Sequence, residues 1–95
     1  MIKSIRDNRT KKIYELKSVG KLSPETQRLA LRKLRILNNV VNLNDLRVPP
    51  TNHLRRLLGK RFGQYGIKID ESWRICFEWT DGNAYNVEIA DYKRY

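Results

Sequence analysis

From His53 onward apolar residues recur with a period of two, and this alternation constrains the fold more than any other feature. Trp73, Ile75 and Phe77 follow it in WRICFEWT, Val87 and Ile89 in AYNVEIA, and QYGIKID adds a third run. A period of two belongs to strands with one face buried. The turn TDGN sharpens the reading. With Thr80-Asp81-Gly82 as a three-residue loop and Gly82 left-handed, Phe77 faces Tyr85, Ile75 faces Val87 and Trp73 faces Ile89, all on one side. A two-residue Asp81-Gly82 loop would set Phe77 against Asn86 and Ile75 against Glu88, and is rejected for that reason.

The same register sets Arg74 opposite Glu88 on the other face. A three-residue loop at Asp70-Glu71-Ser72 pairs Ile67 with Ile75 and Lys68 with Arg74. The face away from the core then carries Gln64, Lys68, Arg74, Glu88 and, by continuation, Tyr92. Arg74 and Glu88 read as a surface pair worth ~0.2–1 kcal/mol. Lys68 beside Arg74 points instead to a phosphate site, because adjacent like charges cost stability. Both readings stand at this point.

Ahead of the strands lie two helices. Residues 2–5 can form a short first strand, and Asp7 or Asn8 can cap a helix over about 9–18, with Gly20 at its end and Ile13, Leu16 and Tyr14 inward. In LSPETQRLALRKLRILNNVV, Ser23 reads as the N-cap and Pro24 as the first helical residue. Ala30, Leu34, Leu37 and Val41, joined by Leu31, share its inner face. Arg28, Arg32, Lys33 and Arg35 lie off that face as a solvated basic flank. Pro49 and Pro50 interrupt NLNDLRVPPTN and hold it extended; HLRRLLGKRFG is a strand running into a basic loop. The order is that of an α+β domain with the N-terminal strand and two helices on one face of a twisted antiparallel sheet.

Ninety-five residues hold one domain, 1–95, with one core. Twenty Lys and Arg against ten Asp and Glu leave a net charge of +10, which suits a polyanionic partner, nucleic acid first among them. The single Cys76 excludes an internal disulfide and fits a reducing compartment. One His and one Cys argue against a structural metal, and no cofactor is implied. No apolar run approaches the ~20 residues of a membrane span, and MIKSIRDNRT lacks a signal-peptide core. The expected location is the cytoplasm.

The segments DLRVPP, GKRFGQYGIKI and WRICF, then an acidic-Gly turn, NVEI and a terminal Asp91-Tyr92, stand here in the order found in HigB-type toxins of the RelE superfamily. The chain resembles that family over about its last fifty residues, and more weakly from MIKSI onward. The resemblance implies a RelE-like fold, ribosome-dependent endoribonuclease cleavage of mRNA, and neutralisation by a helix-turn-helix antitoxin of the HigA kind, with operator DNA met only through that antitoxin. It maps Arg74 onto the family's basic sheet residue and Asp91 and Tyr92 onto its terminal pair. Lys93 stands where many members have His. Arg55 stands where many have a His four residues before the loop Gly, with His53 two positions earlier, and Leu58 where some have Lys. The general base is therefore unassigned.

RNA cleavage by its own 2′-OH requires that hydroxyl to be deprotonated, the phosphorane charge to be stabilised and the 5′-oxygen to be protonated. Proton transfer contributes ~10²–10⁴-fold, and aimed cations supply much of the rest. Expected catalytic residues are Arg74, Asp91, Tyr92 and Lys93; expected RNA contacts are His53, Arg55, Arg56, Lys60, Arg61 and Lys68. A non-catalytic RNA-binding module, or a related toxin acting on another target such as DNA gyrase, would use the same cations.

Overall fold

The computed structural model describes residues 1–92; Lys93 lies outside the described residues. Helices α1 (Asn8–Tyr14) and α2 (Pro24–Asn39) precede strands β1 (Arg55–Arg56), β2 (Tyr65–Lys68), β3 (Trp73–Thr80) and β4 (Asn83–Asp91). The strands form an antiparallel sheet in the order β1-β2-β3-β4. Both helices pack on one sheet face, where Ile13, Ala30, Leu34 and Leu37 meet Ile67, Ile75, Phe77, Val87 and Ile89. Among the described residues, no helix is long and apolar enough to cross a membrane.

The hairpin corrects the expected register. The turn is the two-residue Asp81-Gly82 one after all, with Thr80 paired to Asn83 and positive φ at both central residues (51° and 77°), as a type I′ turn requires. Trp79 pairs with Ala84 and Glu78 with Tyr85; a bulge then shifts the ladder by one residue, and Ile75 meets Ile89. Asn86, with φ of 52°, lies within the bulge. One extra residue in β4 restores the apolar residues to a common face, so the objection to a two-residue turn held only for an unbroken ladder. As a consequence Arg74 lies opposite Ala90, and Glu88 opposite Cys76. At the other turn the expected pairs hold, Ile67 with Ile75 and Lys68 with Arg74.

Residues 2–5 form only two isolated parallel bridges, Ile2 to Ala84 and Ile5 to Val87. They still cover the free edge of β4: Lys3 N–H donates to Ala84 (2.8 Å) and Arg6 N–H to Val87 (2.9 Å). α1 continues the cover. Arg9 donates to the Ile89 carbonyl (2.7 Å), and Thr10 Oγ1 accepts from Ile89 N–H (2.9 Å). An edge occupied in this way offers no template to another chain.

Asp7 caps α1, as its position predicts, and Ser23 and Pro24 begin α2. α1 is shorter than expected. It closes in a Schellman arrangement at Leu16 (φ 66°), with Leu16 N–H bonded to Ile13 and Lys17 N–H to Lys12. Leu16 is therefore 71% exposed rather than inward. The α1–α2 connection is held by Gln27, which accepts from Val19 N–H and donates to the Val19 and Leu22 carbonyls. α2 ends at Asn39, and Val41, expected inside, is 80% exposed.

The Pro-Pro segment is not extended. Two 3₁₀ turns, Leu43–Arg47 and Pro50–Asn52, flank a cis Val48–Pro49 bond. The buried Asn52 side chain joins them, donating to Leu46 (3.1 Å) and Val48 (3.4 Å) carbonyls while accepting from Lys33 Nζ. Burial, and then neighbouring Arg32, holds the Lys33 ammonium below its ordinary pKa. β1 reduces the long expected strand to two residues.

Candidate nucleic-acid interface

With one face of the sheet covered by helices, side chains that alternate with the core point to the other. Lys68 on β2 and Arg74 on β3 are cross-strand neighbours there. Their β-turn connection locates both. Asp70 Oδ1 accepts from Ser72 and Trp73 N–H, and Asp70 Oδ2 from Thr26 Oγ1 (2.8 Å) in the first turn of α2. The Asp70 carbonyl in turn accepts from Arg74 Nη1 (2.6 Å), and Ser72 accepts from Tyr92 N–H (2.8 Å). Asp70 is thus a positioning residue that neither charge pattern nor alternation singled out; its place in a DES turn was the available signal.

Arg74 and Tyr92 are stacked, the guanidinium carbon 4.1 Å from the ring centroid. Together with His53, Arg55, Arg56 and Lys68 they line a cleft of about 530 Å³, completed by Leu57, Leu58 and Gly66. Leu57 lies over Gly66, where a Cβ would come within 3.2 Å of its methyl carbon. His53 reaches the rim through a left-handed backbone (φ 48°) that closes the Pro50–Asn52 turn. Arg56 also lies 5.9 Å from the Tyr65 ring. Among the described residues that line it, none is acidic. Glu71, almost wholly exposed, lies 2.8 Å from Lys68 Nζ; the Lys68 hydrogen bond holds its carboxyl below the usual range. A cleft of this kind offers aimed cations and an aromatic face, the two elements that hold a phosphate and an unstacked base.

The sequence-based set divides in the fold. His53, Arg55, Arg56, Lys68, Arg74 and Tyr92 meet in the cleft. Arg61 is instead bound to Glu88, at 2.7 Å, and to Gln64 Oε1, at 3.1 Å. The pair expected for Glu88 thus forms with a loop arginine and not with Arg74, because the two-residue turn and the bulge together move Glu88 two places along β3, from Arg74 to Cys76. Lys60 stands in the same loop, outside the cleft, and lines a separate groove with Arg61. Asp91 pairs with Trp73 and lines another cavity, with Arg9 and Lys21. Lys93 is outside the described residues.

Two helices over an antiparallel sheet, with a basic cleft on the open face, define an α+β architecture of the RelE-like toxin class. A family model described as the RelE-like toxin of type II toxin-antitoxin system HigB matches residues 3–93. The chain is 33% identical over 94 residues to Toxin HigB-1 of Vibrio cholerae serotype O1, covering 98% of this chain and 99% of that protein. It is also 29% identical over 70 residues to an uncharacterized protein of Haemophilus influenzae, covering 74% of this chain and 69% of that one. The chain belongs to the HigB-like toxins of type II toxin–antitoxin systems. Membership implies an antitoxin partner.

Proposed function

We propose that this toxin is a ribosome-dependent, metal-independent mRNA endoribonuclease that inhibits translation in the cytoplasm. The observation that carries the reading is the pairing of Arg74 with Lys68 in a cleft without acidic lining, closed by the Tyr92 ring. Arg74 is the bidentate donor to the scissile phosphate and to the charge that builds up on it, with Lys68 as the second cation. Tyr92 stacks on a base splayed out of the message. The 2′-oxygen attacks phosphorus and loses its proton, the P–O5′ bond breaks, and the leaving 5′-oxygen is protonated. We assign His53, which lines the cleft, to take the first proton. Lys93, next to Tyr92 in sequence, donates to the leaving oxygen. Asp91 orients Lys93.

Arg55 and Arg56 track the message on either side of the reacting phosphate, and Lys60 contacts RNA beyond it. The proposed partners are ribosome and mRNA, and a HigA-type helix-turn-helix antitoxin through which operator DNA is met. The test is primer extension on message from cells expressing the toxin, and on programmed ribosomes. New 5′ ends within reading frames, absent with Arg74→Ala, are the expected result. Growth inhibition without such ends would assign the toxin another target.

A further inference from the structure

Between β1 and β2 the chain makes a short turn that the cleft does not use. A 3₁₀ segment, Gly59–Arg61, is bracketed by left-handed Gly59 (φ 63°) and Gly63 (φ 94°). The loop is pinned rather than loose: Arg61 is tied to Glu88 on β4 and to Gln64 on β2's approach, and Gln64 N–H donates to the Arg61 carbonyl (2.9 Å). The residue that follows this anchor is Phe62, which is 82% exposed. Leu58, on the other side of the turn, is 79% exposed and also lines the cleft. The ring covers none of the core and stands free on a tied loop. Phe62 borders a groove of about 440 Å³ with Lys60, Trp79 and Glu78.

We propose that Phe62 is a stacking platform for an unpaired RNA base, held in place by the Arg61–Glu88 pair, on RNA that continues out of the cleft past Leu58. This rests on the RNA-cleaving reading and adds to it a second contact away from the reacting phosphate. The charge favours RNA over an apolar protein partner: Lys60 neighbours the ring in sequence, Arg55 and Arg56 lead up to it, and a flat π-face flanked by cations is what single-stranded nucleic acid uses. Arg61 is accordingly a positioning residue, its guanidinium engaged by Glu88, while Lys60 supplies the phosphate contact. The Glu78 carboxylate, on the same groove, can accept from the exocyclic amine or ring N–H of a base.

The test is fluorescence anisotropy with labelled single-stranded and duplex RNA of the same sequence, on the full chain. Phe62→Ala should weaken single-strand binding roughly 5- to 150-fold and leave duplex binding unchanged, because paired bases present no face to the ring. Phe62→Trp should keep or tighten the single-strand affinity. Circular dichroism should be unaltered, since the ring contributes nothing to the core. Glu88→Gln should lower single-strand binding in the parent and have no further effect on Phe62→Ala. Unchanged binding by Phe62→Ala, with the parent binding well and Arg74→Ala binding poorly, would overturn the platform and leave the cleft reading intact. Full single-strand binding by Phe62→Leu would overturn base stacking as the contact. A parent that binds neither RNA free in solution would overturn the platform, while the ribosome-dependent cleavage is judged separately by primer extension.

Discussion

The Arg74 guanidinium lies 4.1 Å from the centre of the Tyr92 ring, so that β3 and the end of β4 close the cleft with one cation–π contact. Arg74 is also bonded to the Asp70 and Trp73 carbonyls. Its head is therefore aimed before RNA arrives. Arg74→Ala should abolish growth inhibition while removing only about 1 kcal/mol of stability, read as a melting-point drop of about 4–8 °C. Tyr92→Phe should keep the contact, and Tyr92→Ala should weaken RNA binding by ~1–3 kcal/mol. Collapse of the fold in Arg74→Ala would mean that the side chain serves structure instead.

Glu71 holds Lys68 Nζ at 2.8 Å, so under the proposed function it competes with RNA for that ammonium. Its carboxyl is depressed by the Lys68 hydrogen bond. A carboxylate with a lowered folded pKa contributes stability above its unfolded pKa, and that contribution is lost as pH falls through the folded value. Lys68→Ala should move the Glu71 titration, followed by NMR, upward toward its ordinary value. Glu71→Gln should tighten RNA binding, most visibly at low salt, by freeing the Lys68 ammonium for phosphate. Weaker binding by that variant would argue that Glu71 serves the site.

Arg61 and Glu88 meet at 2.7 Å with both side chains about four-fifths covered. A double-mutant cycle with Arg61→Ala and Glu88→Ala, read by urea unfolding, should give a coupling of ~0.5–3 kcal/mol. Either single change leaves a largely covered charge without this partner, so each should cost more than the double change does. Strict additivity would show the contact to be energetically empty.

Asn52 is wholly buried and joins three partners across the Pro-Pro segment. Asn52→Ala should destabilise the chain by about 2–4 kcal/mol, since two carbonyls and the Lys33 ammonium lose their partner. Its activity should also fall at temperatures where it remains folded, because the turn that sets His53 would loosen. A stable, fully active variant would remove Asn52 from the description of the site.

Lys93 carries the chemical part of the proposal beyond the described residues. On programmed ribosomes Lys93→Ala should cut message poorly, whereas Lys93→His should match or exceed the parent, since imidazole titrates near neutrality. Equal rates for all three would take Lys93 out of the reaction.

Part of this protein was legible from residues alone, for local reasons. Alternation marked the strands because side chains in a strand change face at every residue. Ser23-Pro24 marked the start of α2, because a capping oxygen and a missing N–H both act within one turn. The net charge of +10 pointed to a polyanion, and Lys68 with Arg74 fell out of a short turn whose geometry is local.

What the sequence did not determine depends on contacts distant along the chain. The bulge at Asn86 is chosen by the core, which accepts any ladder that brings Ile75 and Ile89 to its side, and this decides that Glu88 serves Arg61 instead of Arg74. α1 stops at Tyr14, ahead of the left-handed Leu16, and α2 at Asn39, two places short of Val41, where Val40 turns extended. His53, Arg55 and Arg56 join Lys68, Arg74 and Tyr92 because Asn52 folds the Pro-Pro segment against α2. Alternation fixes which side of a strand a residue faces. Which residues from separate strands and loops share a cleft is decided only when the core is packed and its buried polar groups have found their partners.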